Sequence, residues 1–238
     1  MRWILEITGN ISLLRNLSNS LASSETCIFQ EGNKFFLETD DFYSLPAAND
    51  EKYAANVYFK AKEIVDVING AVSVTIGTQD NISTANVFKI EDDGTRKEIG
   101  IAWAEIELPS FIIKAAGKGA KISNPFDIIK KWIDVAKRDE NVEKALRIFT
   151  YVGKESSWSR LYLIHEIIRH DVGKNKIENW VGDLWKHFRD SANSFAAIGL
   201  ESRHAKYDIP GKSMNLSQAK SYIKALFNNW FYLKDEGN

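Results

Sequence analysis

Two spacings of apolar residues alternate in the opening part of the chain. Short runs rich in strand-forming residues predict β-strands at 2–8, 26–30 and 34–39. Between the first two runs, over 12–22, leucines recur every three or four residues, which is the spacing of an amphipathic helix. The simplest account of the pattern is a β-α-β-β opening.

A longer helical pattern follows over 51–69, where apolar residues form one stripe and Asn69-Gly70 supplies the expected helix stop. The Asp-Asp-Gly-Thr sequence at 92–95 predicts a hairpin turn, because Asp-Gly accepts positive φ. The first half is therefore predicted to be α+β with an antiparallel sheet. Its further strands are expected at 71–77, 85–90 and 97–108.

From about residue 117 onward the pattern is helical throughout, and no segment is typical of a strand. We therefore predict two domains, an α+β domain over 1–116 and an all-α helical bundle over 117–238. Asn124-Pro125 marks the start of the first helix, since Asn is a good cap and Pro is favoured at the first helical position.

Two later helices carry box-like caps, in which an Asn side chain and a Glu or Gln three residues on satisfy free N–H groups. These pairs are Asn175 with Glu178 and Asn215 with Gln218. A compact bundle of four or five helices is expected. The predicted helices are 125–137, 140–152, 157–171, 176–194 and 216–233.

Charge divides the chain unevenly although the net charge is only −1. Residues 1–120 hold 11 Lys and Arg against 17 Asp and Glu, a charge of −6, whereas residues 121–238 hold 20 against 15, a charge of +5. This asymmetry suggests that the second half faces an acidic partner such as nucleic acid, or that the halves attract one another. Two ordinary solvated surfaces are the alternative.

The single cysteine, Cys27, excludes an intrachain disulfide framework and favours a reducing compartment, so we expect a cytoplasmic protein. No apolar stretch approaches the roughly 18 residues that span a bilayer, and no membrane association is predicted. The sequence has no dinucleotide or phosphate-loop fingerprint, and we predict no cofactor.

The sequence His-Glu-Ile-Ile-Arg-His at 165–170 is one residue longer than the zinc motif H-E-x-x-H. Residues five apart lie about 140° apart on a helix, so His165 and His170 cannot share a metal as an i,i+4 pair does. We therefore predict no metal site and expect i,i+4 pairing of Glu166 with His170 on the helix surface.

Arg160 and His165 fit the spacing R-x4-H, and through this motif the second half resembles the all-helical HEPN domains. Many HEPN domains are metal-independent ribonucleases or RNA-binding partners in bacterial toxin and antiviral defence systems. The resemblance implies that the Arg and His act on the RNA 2′-hydroxyl and phosphate, and that the bundle dimerises. This chain departs from the family in having Leu161 where a polar residue usually follows the Arg.

A second Arg and His, Arg203 and His204, are adjacent in the connection between the predicted helices 176–194 and 216–233. His204 could move a proton, and Arg203 could hold a phosphate or carboxylate with its planar fork. The alternative is that both donate to helix-end carbonyls and to Asp190 or Asp208. Four polar neighbours are candidate binding residues, namely Asn193, Arg189, His187 and Tyr207.

These observations predict that the helical half binds RNA or a nucleotide phosphate and acts as a metal-independent ribonuclease in a defence or toxin-like setting. In catalysis, His204 or His165 would serve as general base or acid, and Arg203 or Arg160 would stabilise phosphate charge. The alternative is a non-enzymatic adaptor, in which the acidic N-terminal domain docks a protein partner and the helical half is a scaffold.

Overall fold

The computed structural model describes residues 2–46, 49–78, 80–100, 124–153, 157–204, 207 and 211–236. The chain forms two compact units, Met1–Lys130 and Lys131–Asn238. The first contains an antiparallel sheet with helices and the second is helical, which confirms the predicted succession of fold classes. The predicted domain boundary between residues 116 and 117 lies outside the described residues.

The first unit is built on a five-stranded sheet in which every neighbouring pair of strands is antiparallel. The strand order is β2-β3-β1-β4-β5, so the first strand of the chain lies at the centre. The strands are β1 (Arg2–Thr8), β2 (Thr26–Glu31), β3 (Lys34–Thr39), β4 (Ser83–Ile90) and β5 (Arg96–Ile99).

Two helices connect strands that run in the same direction. Helix α1 (Ile11–Leu21) lies between β1 and β2, and helix α2 (Asp50–Thr75) lies between β3 and β4. The resulting βαββαβ order, with β1 between β3 and β4, is that of a ferredoxin-like domain to which β5 has been added at one edge. The predicted β-α-β-β opening is confirmed.

Alternation along β1 divides the core of this unit between the two sheet faces. Trp3, on one face, is buried and its ring stacks on Tyr53 of α2 at a centroid distance of 5.0 Å. Ile4, on the other face, clusters with Phe36 and Phe88. The hydrophobic core therefore continues through both faces of the central strand.

The predicted end of the second helix is wrong. Helix α2 does not stop at Asn69-Gly70 but continues to Thr75, through residues predicted as a strand at 71–77. Asn69 does not cap the helix, because its buried side chain bonds to both backbone groups of Ile82 at 2.8 and 2.9 Å. After Gly70 the helix buries Ala71, Val72 and Val74, so packing overrides the local stop signal.

The predicted hairpin turn at 92–95 is confirmed. Gly94 has φ +82°, and backbone bonds of 3.0 Å join Glu91 to Gly94 and Thr95. The following strand, predicted at 97–108, begins at Arg96 and extends to Ile99, while residues 101–108 lie outside the described part of the chain.

Residues 124–236, in their described part, contain seven helices rather than the four or five expected. Asn124 accepts a hydrogen bond from the N–H of Phe126, which confirms the predicted cap. The helices are α3 (Pro125–Arg138), α4 (Glu140–Thr150), α5 (Ser157–Val172), α6 (Lys174–Val181), α7 (Leu184–Asn193), α8 (Phe195–Ile198) and α9 (Leu216–Glu236).

The single helix predicted over 176–194 is divided into α6 and α7. Gly182 has φ +56° and ends α6, a backbone conformation that glycine accepts without steric cost. The predicted cap at Asn175 is also wrong, because α6 already begins at Lys174. The capping box predicted at the start of α9 is confirmed, since Asn215 and Gln218 exchange two hydrogen bonds of 2.9 Å.

Helix α5 is central to the second unit and packs against α4, α6, α7 and α9. A half-buried lysine joins three of these helices at their ends, because Nζ of Lys234 lies 2.5 Å from Asp139 and 2.8 Å from Asp171. Trp230 also donates to Asp171 at 2.7 Å. Within the described residues, no helix is both long enough and apolar enough to cross a membrane.

Candidate functional site

The middle of α5 places His165 in the core of the helical unit. Its side chain is only 3% exposed, and its Nδ1 shares a hydrogen bond of 3.0 Å with the hydroxyl of Tyr222 on α9. The rings of Tyr162 and Phe188 lie 5.8 and 5.4 Å from the imidazole centroid. His165 is therefore enclosed by aromatic side chains.

This environment keeps His165 neutral. Burial lowers the pKa of His165 to about 4, since a cation would lose its hydration, and the opposite effect of Glu166 is weaker. Because the imidazole has little exposure to solvent, it cannot reach the 2′-hydroxyl of an RNA in this conformation. The structure gives His165 a packing environment rather than an accessible site.

Arg160 contacts Tyr151, which is not one of the residues described around His165. Its Nη1 donates to the backbone carbonyl of Tyr151 at 2.9 Å, and its guanidinium carbon lies 5.8 Å from the centroid of the Tyr151 ring. The structure therefore directs Arg160 towards the end of α4, while His165 contacts α9. In the contacts described, the R-x4-H pair is thus divided between Tyr151 and Tyr222.

The beginning of the loop after α8 forms hydrogen bonds with two helices, α5 and α7. The carboxylate of Glu201 accepts a hydrogen bond of 2.6 Å from the N–H of Trp158 in the first turn of α5. The N–H of Arg203 donates to the carbonyl of Ala192 near the end of α7, at 3.0 Å. The expected bond to a helix-end carbonyl thus forms through the backbone of Arg203, and its side chain remains available.

The guanidinium of Arg203 is stacked on Tyr162. Its central carbon lies 3.9 Å from the ring centroid, which is the shortest cation–π distance found among the described residues. Within the described part of the chain, no Asp or Glu oxygen comes within 4.0 Å of this guanidinium. Arg203 is exposed, so its N–H donors face solvent from a fixed position.

Tyr162 supports this stack from inside the protein. It is 8% exposed and stacks in turn on Phe188 of α7 at a centroid distance of 6.0 Å. Burial and the nearby carboxylate of Glu166 raise the pKa of the Tyr162 hydroxyl, an effect that the charge of Arg203 opposes. The ring under Arg203 is therefore an uncharged platform held by the core.

His204 and Tyr207 extend the surface of the same loop. His204 is exposed, and its carbonyl accepts a hydrogen bond of 3.0 Å from the hydroxyl of Ser202. Tyr207 packs on Phe195 of α8 with ring centroids 5.2 Å apart. The structure thus brings Arg203, His204 and Tyr207 to one solvent-facing loop.

The other predicted binding residues have different roles. Arg189 binds Oδ1 of Asp190 with two hydrogen bonds of 2.7 and 2.9 Å. Asp190 therefore has a partner other than Arg203, and the second acid of that alternative, Asp208, lies outside the described residues. His187 is half-buried in α7. No donor among the described residues reaches the buried Oδ1 of Asn193.

Sequence reasoning missed Tyr162. Tyr162 lies inside the R-x4-H segment but gave no signal, because an aromatic residue on a helix is usually core. Its contact with Arg203 joins residues far apart in the sequence. Only the folded arrangement of α5 and the loop reveals this pair.

In the described residues, no group of three or more His, Cys, Asp or Glu side chains could hold a metal ion. Comparisons with protein-family models, curated proteins and solved structures find no match to this chain.

Proposed function

We propose that the helical unit binds RNA or a nucleotide phosphate through the guanidinium of Arg203. The observation that carries the proposal is the exposed guanidinium stacked on Tyr162 without a carboxylate partner among the described residues. A guanidinium held in one plane can donate two parallel hydrogen bonds to a phosphate, which is its strongest mode of anion recognition.

The stack on Tyr162 lowers the cost of binding. A free arginine side chain loses up to about 2 kcal/mol of rotamer entropy when it is ordered, and a ring that already fixes the guanidinium removes part of that cost. The bonds from Glu201 to α5 and from Arg203 to α7 fix the backbone of the loop as well. The donors are therefore preorganised before a ligand arrives.

Charge supports the choice of ligand. Residues 121–238 carry a formal charge of +5, which attracts a polyanion over distances longer than a hydrogen bond. Phosphate contacts supply most of the affinity of nucleic-acid complexes and need no particular base sequence. A single phosphate-binding arginine on a moderately basic unit is consistent with modest, salt-sensitive affinity.

Cleavage of RNA by Arg160 and His165 is not part of the proposal. His165 is neutral and enclosed, and Arg160 contacts Tyr151. His204 is the exposed titratable residue next to Arg203 and is the remaining candidate for proton transfer. Binding is the role that the geometry supports best.

The HEPN-like character of the helical unit, its cytoplasmic location and a defence or toxin-like setting belong to the same proposal. They depend on the R-x4-H resemblance and on the composition of the chain. A homodimer formed through the helices would follow from the same resemblance.

The proposal predicts that Arg203→Ala weakens binding of a fluorescently labelled RNA about tenfold or more, because hydrogen bonds to charged groups contribute about 1.5–3 kcal/mol. The slope of log affinity against log salt should also become less steep by about 0.7, the contribution of one phosphate contact on a single strand. Fluorescence anisotropy at several salt concentrations measures both quantities.

Arg189→Ala is the matched control. Arg189 also lies over an aromatic ring, that of Trp185 at 4.8 Å, and its loss removes the same charge, but its guanidinium is already bound to Asp190. This variant should bind RNA like the wild type, and Arg203→Lys should recover only part of the affinity. Equal losses in the two alanine variants would contradict a site at Arg203.

Absence of RNA binding by the wild type would favour the adaptor role, with a protein partner on the acidic N-terminal unit.

A further inference from the structure

The loop that carries Arg203 also exposes large apolar side chains. Leu200 is 94% exposed and Tyr207 is 73% exposed, the two highest values for large hydrophobic residues in the described part of the chain. Both lie within four residues of Arg203 in the sequence. Large apolar groups so fully exposed on either side of an arginine that has no carboxylate partner among the described residues indicate a contact surface for a ligand.

Tyr207 is placed to stack against a planar ligand. One side of its ring packs on Phe195 at 5.2 Å with an interplanar angle of 49°, and the high exposure leaves much of the ring open to solvent. Phe195 is itself half-buried and belongs to α8, so the pair is anchored to the helices. An aromatic ring held in this way accepts the face of any nucleobase, whatever its sequence.

The ring and the guanidinium belong to one surface. The backbone of Arg203 bonds to Ala192, and Tyr207 packs on Phe195, which is three residues beyond Ala192. Three steps along a chain span at most about 11 Å between Cα atoms. A phosphate on Arg203 and a base on Tyr207 can therefore belong to the same short strand.

We infer that the RNA bound at Arg203 is single-stranded and that an unpaired base next to the bound phosphate stacks on Tyr207. This inference rests on the proposed function, because it needs the phosphate contact at Arg203. In an A-form duplex the base faces are already stacked on one another and cannot reach a protein ring. A ring beside a phosphate-binding arginine thus selects strands whose bases are free.

The test compares three probes by fluorescence anisotropy: a labelled single-stranded RNA decamer, the same strand in a duplex, and inorganic tripolyphosphate as a competitor. Tyr207→Ala should weaken binding of the single strand about fivefold or more, because one base stack contributes about 1–3 kcal/mol. The affinity of Tyr207→Ala for tripolyphosphate, measured by competition, should equal that of the wild type. Tyr207→Phe keeps the ring and should retain the affinity for the single strand.

Tyr232→Ala is the matched control, since Tyr232 is 65% exposed and also packs on a phenylalanine, Phe231. It should leave all three probes unaffected. Equal affinity of the wild type for single strand and duplex, or a Tyr207→Ala variant that binds the single strand like the wild type, would overturn this inference while the phosphate site stands. If Arg203→Ala still binds both RNA and tripolyphosphate like the wild type, the phosphate site itself is overturned.

Discussion

At the scale of single residues, burial of His165 links the stability of the helical unit to pH. The unfolded chain takes up a proton on this histidine near its ordinary pKa of 6.5, whereas in the folded chain its pKa is about 4. Between these values the unfolded state binds more protons, so the free energy of unfolding falls as pH decreases from about 6.5 to about 4. The difference in pKa corresponds to roughly 3 kcal/mol.

His165→Asn tests this link, because the amide can still hydrogen-bond with the hydroxyl of Tyr222 but does not titrate. Urea unfolding of both proteins between pH 4 and 7.5 should show a shallower decline in stability for the variant. The variant is expected to be less stable at neutral pH, since a smaller side chain leaves a cavity in the aromatic cluster. Parallel pH profiles for the two proteins would contradict the buried, neutral state of His165.

The residues of the site were only partly predictable from the sequence. Arg203 and His204 could be selected because a connection between helices seldom needs both, and the structure places them on an exposed loop. The role of Tyr162 could not be predicted, because its contact with Arg203 depends on how α5 and the loop pack. His165 fits a motif by spacing alone, and spacing does not report burial.

At the scale of elements, Lys234 holds the ends of α4, α5 and α9 together. It bonds to Asp139 and Asp171, and each of the three side chains is less than a quarter exposed. Burial would raise the pKa of Asp171, but hydrogen bonds from Lys234 and Trp230 outweigh it and lower that pKa. This cluster is therefore expected to stabilise the helical unit more than a surface ion pair does.

Lys234→Met should decrease the free energy of unfolding by about 1–3 kcal/mol, because it leaves two largely buried carboxylates without their cation. Lys131→Met is the control, since Lys131 forms an exposed ion pair with Asp235 and its loss should cost less than about 1 kcal/mol. Urea midpoints of the two variants provide the comparison. A similar small loss in both would show that Lys234 contributes no more than a surface charge.

The helices also show where helix caps and helix stops can be predicted reliably from the sequence. The cap at Asn215 formed as predicted because its partner Gln218 is adjacent in the same turn. The stop at Asn69-Gly70 did not operate, because the Asn side chain is used by Ile82, a residue outside the helix. Local rules thus predict interactions within one turn, and they fail where a distant backbone competes for the same side chain.

At the scale of the whole molecule, the succession of an α+β unit and a helical unit could be predicted from the periodicity of apolar residues. The strand order could not, because it depends on how two helical crossovers place β1 between β3 and β4. The same limit applies to function. The charge difference indicates which unit should attract a polyanion, but only the fold identifies Arg203 as the exposed, ring-supported guanidinium.

A nuclear magnetic resonance titration that follows the arginine Nε–H signals, while inorganic tripolyphosphate is added at constant ionic strength, tests the phosphate site at Arg203 directly. One signal is expected to shift saturably and to be absent in Arg203→Ala, whereas the signal of Arg189, which is bound to Asp190, should shift little. An unchanged Arg203 signal while the ligand binds elsewhere, or equal shifts at Arg203 and Arg189, would contradict a phosphate site on Arg203.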